Sequence, residues 1–328
     1  MIERSVSGYT DHQMFLSEWL RVVLGLRGDV YFFGAHNQLP PQAPDPNFEP
    51  VSISESTMAS IVSPKVSVIA TPVQDTNFYF NFGTGFHSND ARNAILTSNN
   101  GSSPLARSIG WEVGAHTRRF ERLDMEAAFW FLDLDSELVF NGDAGNQESA
   151  AGGNFQPSAA ARRWGIDFQA KYQLFEWLKA DYDLFYADPR FRSSGQAIAL
   201  APTLLTDGDI TADFGNGFSA RLRVRFLDDR PAIEDRSLTA RGYTLVDLIG
   251  KYRWHNMETS LQFLNLLDRD WRQAQFSDNS CVRNEVGVAV GCTAKPGQQN
   301  SHPVDANPAM HFTPGDRLTV IGGVTVYF

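Results

Sequence analysis

The segment FSARLRVRFL at positions 218–227 decides the fold of this chain. Its even positions are apolar or small, whereas its odd positions from 219 to 225 are Ser219, Arg221, Arg223 and Arg225. A helix would spread these charges around its circumference, whereas a strand directs alternate side chains to opposite faces. The segment is therefore predicted to be a β-strand with one apolar face and one cationic face.

The same period of two recurs along most of the chain, clearly at 78–86, 109–117, 164–173 and 178–186. Strands of soluble domains usually have about five or six residues, whereas a strand that crosses a membrane needs about nine to eleven. Most of the predicted strands have ten or more residues, which favours the membrane. The twelve predicted strands lie at about 21–33, 61–73, 77–87, 106–118, 124–139, 161–173, 178–189, 197–214, 218–228, 242–254, 257–268 and 317–328.

The predicted connections alternate between short and long. Short links fall at 74–76, 120–123, 174–177, 215–217 and 255–256. Long polar links fall between them, at 34–60, 88–105, 140–160, 190–196, 229–241 and 269–316. Outer-membrane barrels have this rhythm because their periplasmic turns are tight and their extracellular loops are long.

Composition narrows the class of protein further. The formal net charge of −10 argues against nucleic acid, whose phosphates require basic patches. No apolar run approaches the roughly 20 residues of a transmembrane helix, and alternating barrel strands average out on a hydropathy scale. The opening residues IERSVSGYTDHQ lack the basic and apolar regions of a secretory signal, so we expect an exported protein with this sequence to be a fragment.

The chain ends in RLTVIGGVTVYF, in which Val324, Val326 and Phe328 share one face. An amphipathic last strand with a terminal aromatic residue resembles the assembly signal of bacterial outer-membrane proteins. Longer phrases resemble the barrel of TonB-dependent receptors. These phrases are VVLGLRGDVYFF (22–33), SPKVSVIATPVQDTNFYFNFGTGFHSNDAR (63–92), LDLDSELVFNGDAG (132–145), DDRPAIEDRSLTARGYTLVDLIGKYRW (228–254), SLQFLNLLDRDW (260–271) and PGDRLTVIGGVTVYF (314–328).

The resemblance implies an all-β fold of antiparallel transmembrane strands over residues 1–328, the C-terminal half of a roughly 22-stranded barrel. Neither a plug domain nor a TonB box is recognisable, so we expect an open or incomplete barrel that is inactive alone. The implied location is the outer membrane of a Gram-negative bacterium. The implied partners are outer-membrane lipid, the barrel assembly machinery, the TonB complex through the plug, and a small-molecule or metal-chelate solute. No cofactor and no enzymatic activity are expected.

Arg221, Arg223 and Arg225 are candidate lumen residues that could attract an anionic solute. We favour the alternative interpretation, in which they pair with acidic residues of neighbouring strands or of a plug. The acidic candidates are Asp181, Asp183, Asp213 and Asp247.

Other polar residues are weaker candidates. His87, Asn89 and Asp90 could contact a ligand or form a hydrogen-bonded turn. Cys281 and Cys292 could form a loop disulfide or remain two thiols. His302, Asp305 and His311 could form a metal trio, and Asp207, Asp209 and Asp213 are similar to a calcium loop without its glycine and closing glutamate. We interpret both acidic and histidine groups as solvated or structural.

Three functions remain open at this point. The first is the barrel part of a receptor for a scarce large solute such as an iron chelate. The second is a passive pore of about twelve strands that closes alone. The third is a soluble all-β binding protein with an extracellular disulfide.

Overall fold

The computed structural model describes residues 2–36, 54–88, 104–136, 138–140, 155–157, 160–279, 282–283, 289–290 and 308–328. All of the helices and strands within these ranges are β-strands. None of the described residues belongs to a helix with the length and apolar character needed to cross a membrane. The expected all-β class is therefore confirmed.

Twenty-one strands are defined in chain order. They are β1 (Ile2–Ser17), β2 (Leu20–His36), β3 (Ser54–Val73), β4 (Thr76–Ser88), β5 (Leu105–Thr117), β6 (Leu123–Leu134), β7 (Leu138–Phe140), β8 (Phe155–Pro157), β9 (Ala161–Phe175), β10 (Leu178–Phe191), β11 (Leu204–Asp213), β12 (Phe218–Leu227), β13 (Arg230–Pro231), β14 (Thr239–Ala240), β15 (Tyr243–Trp254), β16 (Met257–Leu264), β17 (Arg272–Asn279), β18 (Val282–Arg283), β19 (Ala289–Val290), β20 (Pro308–Pro314) and β21 (Thr319–Val326).

Thirteen of these strands form one sheet in the order β1-β2-β3-β4-β5-β6-β9-β10-β11-β12-β15-β16-β21. The remaining eight pair into four small two-stranded sheets, β7-β8, β13-β14, β17-β20 and β18-β19. Each strand of the large sheet pairs with its neighbour in sequence because the intervening small sheets belong to the connections. Among the described residues, β1 and β21 do not pair with each other, so the sheet is open, as the sequence predicted.

The number of strands differs from the prediction because β1 was missed. Residues 2–17 place polar and apolar side chains on both faces, so they lack a period of two. In the structure they pair with β2 from Ile2, opposite Gly34, to Ser17, opposite Leu20. Residues 2–16 are exposed, and an edge strand that buries so little apolar surface does not require strict alternation.

Three boundaries also differ. The strand predicted at 197–214 begins only at Leu204, and the strand predicted at 124–139 ends at Leu134. The predicted link 269–316 contains the β17–β20 hairpin. Polar residues dominate this hairpin, and polar strands are the ones that alternation does not reveal.

The conformation of the short turn at 215–217 explains its sequence Gly-Asn-Gly. Gly217 has a φ of 88°, and a Cβ atom there would lie 2.3 Å from the carbonyl oxygen of Arg253. Asn216 stabilises the turn by accepting a hydrogen bond from the amide of Phe218 at 3.0 Å. Only glycine combines this left-handed conformation with this close approach.

The described residues divide into two compact units. Unit 1 comprises Met1–Ala70, Tyr79–Glu112 and Phe131–Arg162. Unit 2 comprises Thr71–Phe78, Val113–Trp130 and Arg163–Phe328. The buried core of unit 1 is formed by Phe33, Ile61 and Leu105, with Tyr31, Ala59 and Phe86 packed against it.

In the described part of unit 2, the apolar face of β10 to β21 is exposed, and buried apolar residues such as Phe191, Ile198 and Leu245 do not lie on this face. On this face Ile210 is 50% exposed and Val324 is 66% exposed. The opposite face carries the charged residues. The exposed apolar residues include Tyr182, Tyr186, Ile210, Phe218, Leu222, Val224, Tyr252, Leu261, Val320 and Val324.

Candidate functional site

The predicted cationic strand is β12, and its three arginines lie between two acidic strands of unit 2. In the register of β11 with β12, Arg225 is opposite Asp207 and Arg223 is opposite Asp209. On the other side of β12, Arg223 is opposite Asp247 of β15. Because all of these residues share one face, the sheet brings them together. We call Arg221, Arg223 and Arg225 the arginine ladder.

Each ladder arginine contacts a carboxylate that lies diagonally, not directly, across the strands. Arg221 donates from Nη2 to Asp209 Oδ2 at 2.5 Å. Arg223 donates to Asp207 from both Nε, at 2.9 Å, and Nη2, at 2.7 Å. Arg225 donates from Nη2 to Asp247 Oδ2 at 2.8 Å. A long side chain reaches this diagonal neighbour more easily than the residue beside it.

These contacts neutralise the ladder. The Asp209 and Asp247 residues are only 7% and 3% exposed, and buried carboxylates are normally paired. Asp247 is one of the partners proposed from the sequence, whereas Asp209 and Asp207 are not. Alternation predicts which residues share a face, but it does not predict the register that selects these two partners.

A second row of charge lies across β10 and β11. Asp181 is opposite Asp209, and Asp183 is opposite Asp207. Lys179 contacts Asp181 at 3.3 Å, and the side-chain amide of Gln169 donates to Asp183 at 2.8 Å. Within the described parts of the chain, there is no group of three His, Cys, Asp or Glu residues placed to hold a metal ion. Asp181, Asp207, Asp209 and Asp247 each contact a lysine or arginine of this face.

Asp247 connects this network to the connection that follows β16. Its Oδ1 atom accepts a hydrogen bond from the main-chain amide of Asn265 at 2.9 Å. The side-chain amide of Asn265 then donates to the carbonyl oxygens of Arg269, at 2.8 Å, and Asp316, at 3.1 Å. Asn265 is buried and has a φ of 51°, a conformation that asparagine tolerates better than most residues. Sequence reasoning missed this residue, although an asparagine directly after an apolar strand is a turn signal.

Asp268 and Arg317 secure the two ends of the same connection. Arg317 donates from Nη2 to Asp268 Oδ2 at 2.8 Å, and the amide of Leu318 donates to Asp268 Oδ1 at 3.0 Å. The Arg317 hydrogen bond, followed by the Leu318 amide, lowers the pKa of Asp268 to about 2. Asp268 is therefore ionised over the physiological range.

The connections at this end of unit 2 contact one another. The amide of Leu200 donates to the carbonyl oxygen of Pro231 at 2.7 Å. The side chain of Gln275 on β17 both accepts from the amide of Arg241, at 2.9 Å, and donates to its carbonyl oxygen, at 2.7 Å. These bonds join three connections that alternation treats as separate polar loops.

Arg230 lies among these connections and differs from the ladder arginines. Its Nε donates to the carbonyl oxygen of Leu200 at 3.1 Å, while its Nη1 is buried without a hydrogen-bond acceptor. Within the described residues it forms no ion pair with a carboxylate. Burial lowers the pKa of its guanidinium. No sequence pattern predicts that Arg230 lacks an ion pair, because its surroundings are formed by connections that are far apart in the sequence.

The other predicted residues fall partly within the structure. His87 lies on β4 with its Nε2 buried and without a hydrogen-bond partner. His311 stacks on Phe276, with ring centroids 5.2 Å apart. Asn89, Asp90, Cys281, Cys292, His302 and Asp305 lie outside the described residues.

The C-terminal residues occupy the edge strand. Val324 is opposite Thr259 and Val326 is opposite Met257, both on β16. Phe328 follows β21 and is exposed. The amide of the preceding Tyr327 donates to the carbonyl oxygen of Asn256 at 2.7 Å, which fastens the end of the chain to the β15–β16 turn.

Comparison with known proteins gives a consistent result. A family model described as "TonB dependent receptor-like, beta-barrel" matches residues 2–266. A comparison with curated protein sequences found no match.

Solved structures provide the second comparison. The ferric citrate transporter FecA is similar with a TM-score of 0.72 at 13% identity, over 98% of this chain and 45% of that one. The ferric yersiniabactin uptake receptor FyuA from Yersinia pestis has a TM-score of 0.67 at 14% identity, over 99% and 46%. The copper transporter OprC has a TM-score of 0.67 at 20% identity, over 82% and 43%. This chain thus spans less than half the length of these proteins.

Proposed function

This chain belongs to the TonB-dependent receptor β-barrel family, and from this premise we propose that it is the C-terminal barrel part of a receptor for active uptake of a scarce, large solute. We propose a ferric siderophore or similar iron chelate as the solute. Two of the similar structures are named for ferric chelates and one for copper, so the class of solute is open to direct test.

The opposite character of the two faces of unit 2 supports this function. One face exposes large apolar side chains such as Leu222 and Val224, while the other buries carboxylates in ion pairs. In a soluble protein a continuous apolar face of this kind would be covered. Lipid covers it in an outer-membrane barrel, where apolar residues face outwards and polar residues face the lumen.

The proposed location is accordingly the outer membrane of a Gram-negative bacterium. Lipid would contact the apolar face, and the barrel assembly machinery would insert the strands. Energy would come from the TonB complex through the plug that receptors of this family carry before the barrel. No enzymatic step is proposed, since the matched family and the similar structures are receptors and transporters.

We also propose roles for individual residues. The ladder arginines would shape the lumen through their ion pairs, while His87, Asn89 and Asp90 would lie closer to the solute. Cys281 and Cys292 would form a disulfide within a loop in the oxidising environment outside the cell.

A passive pore formed by this sheet alone is the alternative, and the direction of the edge strands argues against it. β1 and β21 are the first and thirteenth strands of an antiparallel sheet, so they run in the same direction. Closing the sheet between them would require a parallel ladder, whereas bacterial barrels close with an even number of antiparallel strands. An odd number of further strands would restore that pattern.

Two experiments test the proposal. In detergent, a barrel that contains this chain should migrate faster in gel electrophoresis before boiling than after it, and identical migration would contradict the membrane assignment.

The complete gene should restore growth of an iron-limited, receptor-deficient strain on one ferric chelate, and only when TonB is present. Growth that does not depend on TonB would favour the passive pore.

A further inference from the structure

Four arginines occur between the start of β12 and the start of β13, and they differ in how their charge is balanced. Arg221, Arg223 and Arg225 each contact an aspartate at 2.8 Å or less. Arg230, five residues after the ladder, forms no ion pair with a carboxylate among the described residues, although the charge of the adjacent Asp229 acts on it. The residues predicted to attract an anion are therefore each held in an ion pair, whereas Arg230, which was not predicted, is not.

The surroundings of Arg230 hold it in place without neutralising it. Its acceptor Leu200 is fixed in turn by the bond from its own amide to the carbonyl oxygen of Pro231 at 2.7 Å. The main chain of Arg230 pairs with Ala240, which is fully buried. This leaves a half-buried guanidinium, with its Nη1 lacking an acceptor, on a hydrogen-bonded framework of two connections.

We propose that Arg230 binds an anionic group, a carboxylate or a phosphate, of the solute that the receptor takes up. The proposal rests on the proposed function, because it assigns the counter-charge to a transported solute. The Nη1 group of Arg230 is buried without an acceptor among the described residues, and a buried donor that lacks an acceptor is costly. Planar guanidinium groups bind carboxylates and phosphates through two parallel hydrogen bonds, so an arriving anion would supply the missing acceptor.

One aromatic residue, Tyr243, stands near this position. Tyr243 opens β15 three residues after Ala240, and its phenol lies near enough to influence the charge of Arg230. The Tyr243 ring packs edge-on against Trp271, with centroids 5.0 Å apart. An anionic group beside an apolar surface is therefore the chemistry that fits this position.

Anion-dependent thermal stability tests the proposal on the complete receptor in detergent. Citrate and inorganic phosphate are the probes, each compared with sodium chloride at equal ionic strength. We expect the wild type to be stabilised by at least one of these anions. Arg230→Gln should bind that anion at least about tenfold more weakly, which is the value of one lost charged hydrogen bond. Arg236→Gln is the matched control, because Arg236 is exposed in the same connection.

A purely structural role for Arg230 predicts a different pattern. An arginine that only supports the loop should lower the melting temperature when replaced, with or without the anion. An anion-binding arginine should leave the melting temperature without anion nearly unchanged, because no carboxylate is left unpaired. Arg230→Lys keeps the charge, should retain part of the anion effect, and provides the same test if Arg230→Gln is not recovered.

Three results would overturn the proposal. They are equal stabilisation of the wild type and Arg230→Gln, a large loss of stability without anion, and stabilisation by lipopolysaccharide but by neither citrate nor phosphate. The last result would assign Arg230 to lipid phosphate instead of solute. Failure of growth rescue with a normal anion effect would contradict the proposed function alone, so the two failures are distinguishable.

Discussion

Ion pairs between strands are formed differently in the first strands of the sheet and in the strands near its end. On β1 to β3 of unit 1, Lys65 contacts Asp11 at 2.9 Å across the intervening strand β2. On β11 to β15 of unit 2, each ladder arginine contacts a carboxylate on an adjacent strand. The Asp11 and Lys65 side chains are 42% and 55% exposed, whereas the side chain of Asp247 is only 4% exposed.

A glycine permits the longer contact. Gly25 lies between Asp11 and Lys65 in the register of the three strands. A Cβ atom on Gly25 would lie 2.2 Å from Lys65 Cε and 2.5 Å from Asp11 Oδ1. Adjacent strands are about 4.8 Å apart, so the lysine has to lie flat over the middle strand to reach the next one.

The difference shows that similar ion pairs serve different purposes in the two regions. The exposed pair holds an edge strand and is screened by solvent, so it contributes little free energy. In the ladder pairs the carboxylates of Asp209 and Asp247 are buried, so removing the arginine or the aspartate leaves a charge or an amide without its partner, which is costly. Four experiments would sharpen or break this comparison.

Asp247→Ala should have the largest effect. It leaves Arg225 without its carboxylate and the buried amide of Asn265 without its acceptor, and breaking a buried pair costs on the order of 3 kcal/mol. We expect a clear fall in the temperature at which the protein loses its compact form in detergent gel electrophoresis. Asp183→Ala is the control, since Asp183 is exposed and accepts only from Gln169 among the contacts above. Equal effects of the two variants would remove the distinction between buried and exposed pairs.

Gly25→Val should be the next most damaging change. The added atoms would displace the Lys65 side chain from its contact with Asp11, and because both side chains are exposed and flexible they can move aside at a cost of about 1 kcal/mol. Gly28→Val on the same strand is the matched control, because a Cβ atom there meets no described atom within 4 Å. The same electrophoretic assay measures both, and a larger loss for Gly28→Val would contradict the steric argument.

Lys65→Met should change stability by less than about 1 kcal/mol, because both partners of the ion pair are exposed. The methionine keeps much of the apolar stem that lies over Gly25. We expect hydrogen exchange of the β1 amides near Asp11 to become faster while global stability is nearly unchanged. A global loss comparable to that of Asp247→Ala would show that the exposed pair is as important as the buried one.

The smallest expected effect is local and depends on pH. Because Arg317 lowers the pKa of Asp268 from its ordinary 3.8 to about 2, this contact is fully stabilising above about pH 4. Its contribution is lost as the pH falls through about 2, when the folded carboxylate is protonated. The protection factors of the amides at residues 265–271, which are exchange rates corrected for their intrinsic pH dependence, should therefore fall between pH 4 and pH 2. Asp268→Asn should abolish this step, and an unchanged step in that variant would assign it to another group.

The sequence contains enough information for the class of fold and for most strands. Alternation in β12 is strict because one face contacts a different environment from the other, and that physical requirement is visible in Phe218 to Leu227. β1 escaped prediction because both of its faces are exposed, so neither is constrained. The β17–β20 hairpin escaped because most residues of β17 are polar.

The candidate site was less predictable than the fold. Alternation along β12 predicts that the three ladder arginines share one face. Their contacts with Asp209, Asp207 and Asp247 depend on the register of the neighbouring strands, which alternation does not predict. The roles of Asn265 and Arg230 depend on which connections meet in space. Local sequence encodes which way a side chain points, whereas tertiary structure decides what it meets.

Gln275 has a consequence for how such a protein can change over evolutionary time. Its side-chain amide takes the place of a peptide group against Arg241, and within the described ranges it is the residue that hydrogen-bonds the β17–β20 hairpin to the preceding connection. A ladder of main-chain bonds would fix the length and alignment of both segments. A single docking point fixes only one position. Insertions and substitutions elsewhere in the hairpin can therefore accumulate while the attachment is inherited intact.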